Sequence, residues 1–417
     1  MGKKANYFLG LLSGIALAIV AWFALSMALP FWFGMFGNAQ VPGVSVAPTT
    51  ATAVAELEAA DIMQKLNHIH QIIETNFIGD FDLELAIETM FAGFVYGAGD
   101  PYTVYMDERT FASFREETEG SFIGIGVSIT VDVTDNRILI ISPFEGSPAF
   151  EAGILPGDKI VRINGYEVFG DGINEAIRMM RGEVGTEVIV TIYRESNSTT
   201  FDVPIIRDVI EVETVRSNVL ANNIGYIRIS QFDRVTYEQF VNAYERLISE
   251  NVGGLILDLR NNPGGLLDVV NNITNMLVPE GIITYTEDAQ GRRVYVPSDS
   301  RQIEIPLVVL VNGNSASASE VLSGAVQDTG VGEILGTTTF GKGLVQNIFP
   351  LRDGSAVKVT VQRYFTPAGR SIHGEGLVPD HYVEMDVELT NNLMRLDQVD
   401  DVQLQEAIRV INGMMRP

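Results

Sequence analysis

The sequence predicts a multidomain protein of mixed α/β class, and three observations carry that expectation. The 417-residue chain is 46% hydrophobic and 19% charged, enough for two or three domains with cores of ordinary size. Its first part runs from Ala5 to Ala55 without one charged side chain. Beyond Gly120 the apolar pattern changes, first to short β-rich runs between glycine turns and then to strands alternating with helices. The predicted order is a membrane anchor (1–36), a linker (37–55), a helical region (56–118), a β-rich domain (119–207), an α/β core (208–390) and a helical tail (391–417).

Composition excludes several functions. With 28 Lys plus Arg against 53 Asp plus Glu, the formal charge of -25 disfavours nucleic-acid binding. The chain has no cysteine, so disulfides, thiol nucleophiles and Cys-type zinc sites are excluded. Of the four histidines, His68 and His70 lie far in sequence from His373 and His381. On a helix, residues two apart face different sides, so the first pair is poor metal-cage material.

Each element follows from local pattern. Tyr7 to Phe33 is almost wholly apolar, whereas a spanning helix needs about 20 such residues and a cleavable signal only about 7 to 15. An uncleaved anchor is favoured, with Gly37-Asn38-Ala39 as the alternative cleavage site. Lys3 and Lys4 belong on the cytoplasmic side, which places the rest of the chain outside the cytoplasm of a single-pass membrane protein. Gln40 to Ala55 reads as a tether. Leu57, Ile62, Leu66, Ile69, Ile73 and Phe77 recur at helical spacing, as do Leu83, Ile87, Met90, Phe91 and Phe94. Tyr102 to Thr118 reads as a mixed polar and aromatic connection. Strands are expected over Ile123–Val131, Arg137–Ile141, Lys159–Ile163, Thr186–Arg194 and Phe201–Ile206, with short helices after Ser147 and over Gly172–Arg181. In the core, strands Ile224–Ile229, Gly254–Leu259 and Leu307–Val311 alternate with helices Val235–Ile248, Leu266–Leu277 and Ser317–Thr329. Further β-rich segments surround Ile334, Val345–Phe349 and Val357–Tyr364.

Within the β-rich domain, Phe122-Ile123-Gly124-Ile125-Gly126, Ser147-Pro148-Ala149, Pro156-Gly157-Asp158 and Ile163-Asn164-Gly165 resemble a PDZ domain of the permuted bacterial kind. Glycines 124 and 126 let backbone N–H groups turn toward an anion, and the following strand offers an edge to an extended peptide. The resemblance implies that Phe122, Ile123, Gly124, Ile125 and Gly126 read a free substrate C-terminus, with an edge strand beginning near Ile125. Arg181 matches a recurrent basic position of the family and either couples peptide docking to the core or is a solvated helix-end cation.

Two chemical patterns mislead. Gly336 to Lys342 fits seven positions of a phosphate-binding loop, but Gly343 replaces the Ser or Thr that would hold magnesium, and a β-rich run follows where a helix is required. His373 and His381 lie in a Gly/Pro-rich loop, a setting of solvated histidines rather than of a triad base. A stronger pattern is Asn312-Gly313-Asn314-Ser315-Ala316-Ser317-Ala318-Ser319-Glu320, between an apolar strand and a helix. A serine there projects at a helix N-terminus, whose free N–H groups and dipole stabilise an oxyanion. Lys342, between glycines and before an apolar strand, is the candidate base, because burial brings a lysine toward neutrality.

Taken with Gly99-Asp100-Pro101-Tyr102-Thr103, Tyr105-Met106, Asp258-Leu259-Arg260-Asn261-Asn262-Pro263-Gly264-Gly265, Phe340-Gly341-Lys342-Gly343 and Thr366-Pro367-Ala368-Gly369-Arg370, this pattern resembles the carboxyl-terminal processing (tail-specific) proteases, Ser/Lys peptidases of family S41. The resemblance implies Ser317 as nucleophile, Lys342 as general base and Gln346 as its orienter. The oxyanion hole would join the Ala318 N–H to one from Gly264 or Gly265. It further implies protein substrates with free C-termini, no metal or organic cofactor, and a homo-oligomer formed through the region 56–96. His373 departs from the common pattern, which more often has a residue such as Gln. The competing readings are a catalytically silent PDZ scaffold at the membrane surface, which would lack Ser317 or Lys342, and an enzyme acting on a small acyl carrier, which an exported PDZ protein disfavours.

Overall fold

The computed structural model describes residues 59–299, 302–391, 393 and 400–415. The expected anchor, the linker, the first residues of the helical region and part of the tail lie outside the described residues. Among the described residues no helix is long and apolar enough to cross a membrane. The chain divides into two units, residues 1–82 and 83–417.

In the first unit, α1 (Ala59–Asn76) follows the predicted 3.6-residue spacing. Thr75 and Asn76 donate side-chain hydrogen bonds to the carbonyls of Gln71 and Ile72 at its C-terminal end. Its apolar stripe stays open: Ile62, Ile69 and Phe77 are exposed.

The second unit begins with α2 (Leu83–Tyr96), β1 (Val104–Met106) and α3 (Glu108–Glu119). The segment read as a plain connection therefore holds a strand and a helix. Asp107 caps α3 by accepting from the Thr110 N–H at 2.7 Å, and Gly120 closes the helix in the left-handed conformation. The three residues of β1 have no local signal, because their strand exists through pairing with residues 356–358.

The β-rich domain comprises β2 (Ser121–Gly124), β3 (Val127–Asp132), β4 (Arg137–Pro143), α4 (Pro148–Glu151), β5 (Lys159–Ile163), β6 (Tyr166–Glu167), α5 (Ile173–Met180), β7 (Glu187–Arg194), β8 (Thr199–Ile206) and β9 (Asp208–Glu211). Its main sheet has the order β3-β4-β5-β7-β8, with β6 on β5. The single strand expected over Ile123–Val131 is broken at Gly126, where φ is +77° and an added Cβ would lie 2.3 Å from the Ser147 Cβ. The first half, β2, pairs instead with β9, so a two-stranded ribbon joins the start of the domain to its end. Ile138, Ile140, Ile160, Ile163, Val190 and Ile192 fill its core.

The core follows as β10 (Val215–Leu220), β11 (Ile224–Ile229), α6 (Thr236–Ser249), β12 (Gly254–Asp258), α7 (Leu267–Leu277), β13 (Gly281–Asp288), β14 (Arg293–Ser298), β15 (Leu307–Val311), α8 (Ala318–Thr329), β16 (Gly332–Gly336), β17 (Leu344–Pro350), β18 (Ala356–Phe365), β19 (His381–Tyr382), α9 (Val387–Asn391) and α10 (Val402–Met414). One sheet has the order β10-β11-β12-β15-β16-β19, parallel except where β10 meets β11. Strands β12 and β15 are buried at every residue, which is why they read as unbroken apolar runs. Helices α6, α7 and α8 cover one face and α10 the other. The second sheet, β1-β18-β13-β14 with β17 on β18, supplies the opposite wall of the site. Hairpin β13–β14 and strand β10 had no counterpart in the sequence reading, since their alternation is short and partly exposed.

Candidate active site

The apolar strand β15 delivers the chain into the loop 312–316, and Ser317 stands where that loop becomes α8, with φ 53° and ψ -112°. Such a backbone is costly for a residue carrying a side chain and persists only where its surroundings over-determine it. Here they do. The Asn312 N–H donates to Ser315 Oγ at 2.9 Å, and Ser315 Oγ donates to the Leu259 carbonyl at 2.8 Å. The Ala316 N–H and the Ser319 hydroxyl each donate to the Asn262 carbonyl at 3.0 Å. Ser315 and Ser319 are thus fully buried and committed. Ser317 is half-buried and lines a cleft of about 280 Å³.

Lys342 enters the same cleft from the loop between β16 and β17. Two buried side chains fix its backbone against that of Ser317. Glu320, without exposed surface, accepts at Oε2 from the N–H groups of Ser317 (2.9 Å) and Lys342 (2.8 Å), and at Oε1 from the Thr339 hydroxyl (2.5 Å) and the Gly341 N–H (2.7 Å). The Tyr364 hydroxyl lies 2.9 Å from the Ser317 carbonyl and 2.5 Å from the Lys342 carbonyl. A buried carboxylate is expensive to desolvate; four donors and the first turn of α8 offset that cost. Burial and the Glu320 charge in turn push the Tyr364 hydroxyl far above its ordinary range, so it remains a donor.

The Lys342 ammonium lies 4.7 Å from the ring centroid of Tyr102. Burial in the cleft, and next the like charge of Lys358, hold it below the ordinary lysine range, while the carboxylates of Asp100 and Glu320 oppose them. Tyr102 is held by its own loop: Asp100 accepts from the Thr103 hydroxyl (2.6 Å) and the Tyr102 N–H (3.2 Å), and Thr103 Oγ1 accepts from the Thr360 N–H of β18 (3.1 Å). Gln346, the expected orienter, lines the cleft but donates to Thr360 Oγ1 at 3.4 Å.

The two glycines left open by the sequence differ in geometry. The Gly264 N–H donates to Asn262 Oδ1 at 2.9 Å, while the N–H groups of Gly265 and Ala318 meet no acceptor among the described residues. Gly264 has φ +107°, and an added Cβ would lie 2.9 Å from the Ser317 Cβ and 3.0 Å from the Ala318 nitrogen. No residue but glycine fits there.

In the β-rich domain, Phe122, Ile123 and Gly124 belong to β2, paired with Ile210, Val209 and Asp208. Ile125 is core, 2% exposed, and the edge strand expected near Ile125 begins two residues on, at Val127. That difference follows from the break at Gly126. Arg181 pairs with Glu116 of α3, and its guanidinium lies 5.4 Å from the Phe122 ring centroid. At the end of α5 the carbonyls of Met179 (2.9 Å) and Met180 (3.1 Å) accept from Arg207 rather than from Arg181. Phe122, Ile123, Arg181 and Glu116 border a separate cavity of about 530 Å³.

Sequence reasoning gave no role to Glu320, Tyr364, Tyr102 or Lys358. Glu320 had a signal, since Ser317-x-x-Glu320 is a capping-box pattern. Tyr102 stood within a quoted motif, but nothing local placed that motif beside Lys342. Tyr364 and Lys358 lie on a strand whose alternation says only that they share or differ in face.

Comparison with known proteins supplies an independent line. The profile of Peptidase family S41 matches residues 223–383, that of the PDZ domain residues 122–205, and that of the activating protease CtpB N-terminal domain residues 31–110. The carboxy-terminal-processing protease of Bartonella bacilliformis is 34% identical over 388 residues, covering 84% of this chain and 88% of its own. The carboxy-terminal processing protease CtpA of Bacillus subtilis is 38% identical over 323 residues, covering 77% and 69%. Among solved structures, the photosystem II D1 C-terminal processing protease is 32% identical with a TM-score of 0.45, covering 80% of this chain and 91% of that one.

Proposed function

The chain belongs to Peptidase family S41 and is a serine peptidase, and from that premise we propose that Ser317 is its nucleophile and Lys342 its general base. Ser317 Oγ attacks the scissile carbonyl carbon as its proton passes to Lys342 Nζ. The oxyanion accepts from the N–H groups of Ala318 and Gly265. Collapse breaks the C–N bond, Lys342 returns the proton to the leaving amine, and a water deprotonated by Lys342 then hydrolyses the acyl-enzyme. Gln346 borders the cleft as an orienting group for the lysine in the substrate-bound state.

The observation that carries this reading is the double bridge by which Glu320 and Tyr364 hold the backbones of Ser317 and Lys342 together at one cleft. The test is peptide hydrolysis. Ser317→Ala is expected to abolish it, and Lys342→Arg as well, because an arginine cannot accept the proton; chelation with EDTA should change nothing. Normal turnover in either variant would overturn the assignment.

The β-rich domain presents protein C-termini to this site, with Phe122 to Gly126 reading the terminal carboxylate through backbone N–H groups; Phe122, Ile123 and Arg181 line one cavity there. The apolar stretch Tyr7–Phe33, behind Lys3 and Lys4, anchors the enzyme in the cell membrane with its catalytic part on the extracytoplasmic side. Alkaline extraction of membranes, with protease accessibility of intact and opened cells, tests that placement. Exposed apolar residues on α2, such as Phe91 and Phe94, support a homo-oligomer, which sedimentation tests.

A further inference from the structure

Lys358 shares the cleft with Lys342 and Ser317, and nothing in the catalytic scheme uses it. It stands on β18, where Gln346 faces Thr360 across the ladder and Lys358 lies two residues earlier, on the same cleft-facing side. The side chain is half-buried and its ammonium lies 5.5 Å from the ring centroid of Phe114 on α3. Among the described residues it forms no ion pair, although the protein carries 53 acidic side chains against 28 Lys plus Arg. Two ammonium groups in one half-buried cleft repel each other at reduced dielectric, so a second lysine there carries an electrostatic cost.

We propose that Lys358 is a positioning residue that acts through Lys342, its unpaired ammonium in the shared cleft favouring the proton-free form of the base. This rests on the Ser317/Lys342 reading above. The other charged and titratable groups around the pair do not substitute for it. Asp100 and Glu320 favour the protonated lysine, and both are held by their own donors. The Tyr102 face also favours the cation. Glu117 and Asp233, on α3 and in the loop after β11, border the cleft with the wrong sign. Asp233, whose burial lifts its carboxyl to about 6, is ionised on the alkaline side of that value. The Tyr364 hydroxyl stays neutral. Apart from Lys342 itself, Lys358 is the cation lining this cleft.

The test measures kcat/KM against pH for the full-length enzyme and for Lys358→Met, Lys358→Gln and Lys358→Arg. Methionine keeps the apolar stem against Phe114 and removes the charge. Activity should rise with pH in each protein as the base loses its proton. In the Met and Gln variants that limb should move alkaline by roughly one pH unit, a loss of about tenfold on the limb that closes above it. Arginine should hold the limb in place. The rate at which a fluorophosphonate labels Ser317 should shift in the same way, and this readout needs no bound peptide. A limb unmoved in both neutral variants, whether activity is normal or uniformly lower, overturns the inference and leaves the Ser317/Lys342 reading standing. So does a change confined to KM for substrates bearing a carboxylate, which would make Lys358 a substrate anchor. Labelling or activity that persists in Ser317→Ala would instead remove the reading on which the inference rests.

Discussion

Glu320 joins two residues 25 positions apart, Ser317 and Lys342, through one carboxylate oxygen. Glu320→Ala would leave the N–H groups of Ser317, Gly341 and Lys342 without that acceptor, at about 1–3 kcal/mol for each buried donor left unmet. A stability loss of at least about 3 kcal/mol is therefore expected, read from a urea titration with unchanged slope. Glu320→Gln, which keeps the shape, should lose less stability and show its defect in kcat rather than KM. An unaltered urea midpoint in the alanine variant would contradict the bridging role. Lys342 tests the same logic with opposite sign. Its folded-state pKa lies below the ordinary 10.5, so the unfolded chain binds more protons in the interval between them and stability rises with pH there. Below that folded-state pKa the penalty for holding the ammonium in the cleft is fully present. Lys342→Met should then raise the melting temperature at neutral pH while abolishing hydrolysis, and a lowered melting temperature would argue against a desolvated ammonium.

Among the elements, the loop 99–103 and helix α3 were the least legible in sequence and stand closest to the chemistry. The loop is tied to β18 through Thr103 and sets Tyr102 against the Lys342 ammonium. The ring favours the charged lysine by about 0.5–2 kcal/mol, so Tyr102→Leu should move the rising limb of the pH profile toward acid, by up to about 1.5 units. No movement, or movement toward alkali, would contradict the contact. Helix α3 borders both cavities: Phe114, Glu117 and Thr118 line the cleft of Ser317 and Lys342, while Ala112, Arg115 and Glu116 line the cavity beside Arg181. The strongly patterned elements needed no tertiary information. The segments Ile224–Ile229, Lys159–Ile163 and Leu307–Val311 form strands within the limits that their apolar runs predict, because burial on one or both faces leaves a local trace.

For the whole molecule, the ribbon β2–β9 brings the two ends of the β-rich domain together, so residues 125–207 can be replaced by a short turn without pulling on the core. That variant should remain folded and keep hydrolysing peptides without regard to their ends. The intact enzyme should cleave a peptide with a free C-terminus faster than its amidated twin, by roughly tenfold or more if the carboxylate accepts a charge-assisted hydrogen bond of about 1.5–3 kcal/mol. Equal rates for the two peptides below saturation would end the C-terminal-recognition reading and leave the cleavage chemistry intact.

Composition, periodicity and motif order by themselves determined the mixed α/β class, the β-rich domain ahead of an α/β core, and the segments carrying Ser317 and Lys342. These features are local: an apolar run, a turn glycine or a small-residue cluster is written in consecutive residues. Only the tertiary structure showed why Ser317, already singled out by the family resemblance, is the serine that opens to the cleft, since Ser315 and Ser319 are removed by acceptors at Leu259 and Asn262. It likewise committed the Gly264 N–H to Asn262, fixed the start of the edge strand at Val127, and brought Tyr102, Lys358 and Tyr364 to Lys342. The physical reason is common to all of these. A hydrogen bond or a charge pair between residues tens to hundreds of positions apart leaves no periodicity in either segment, and it exists only once the sheets have brought them together.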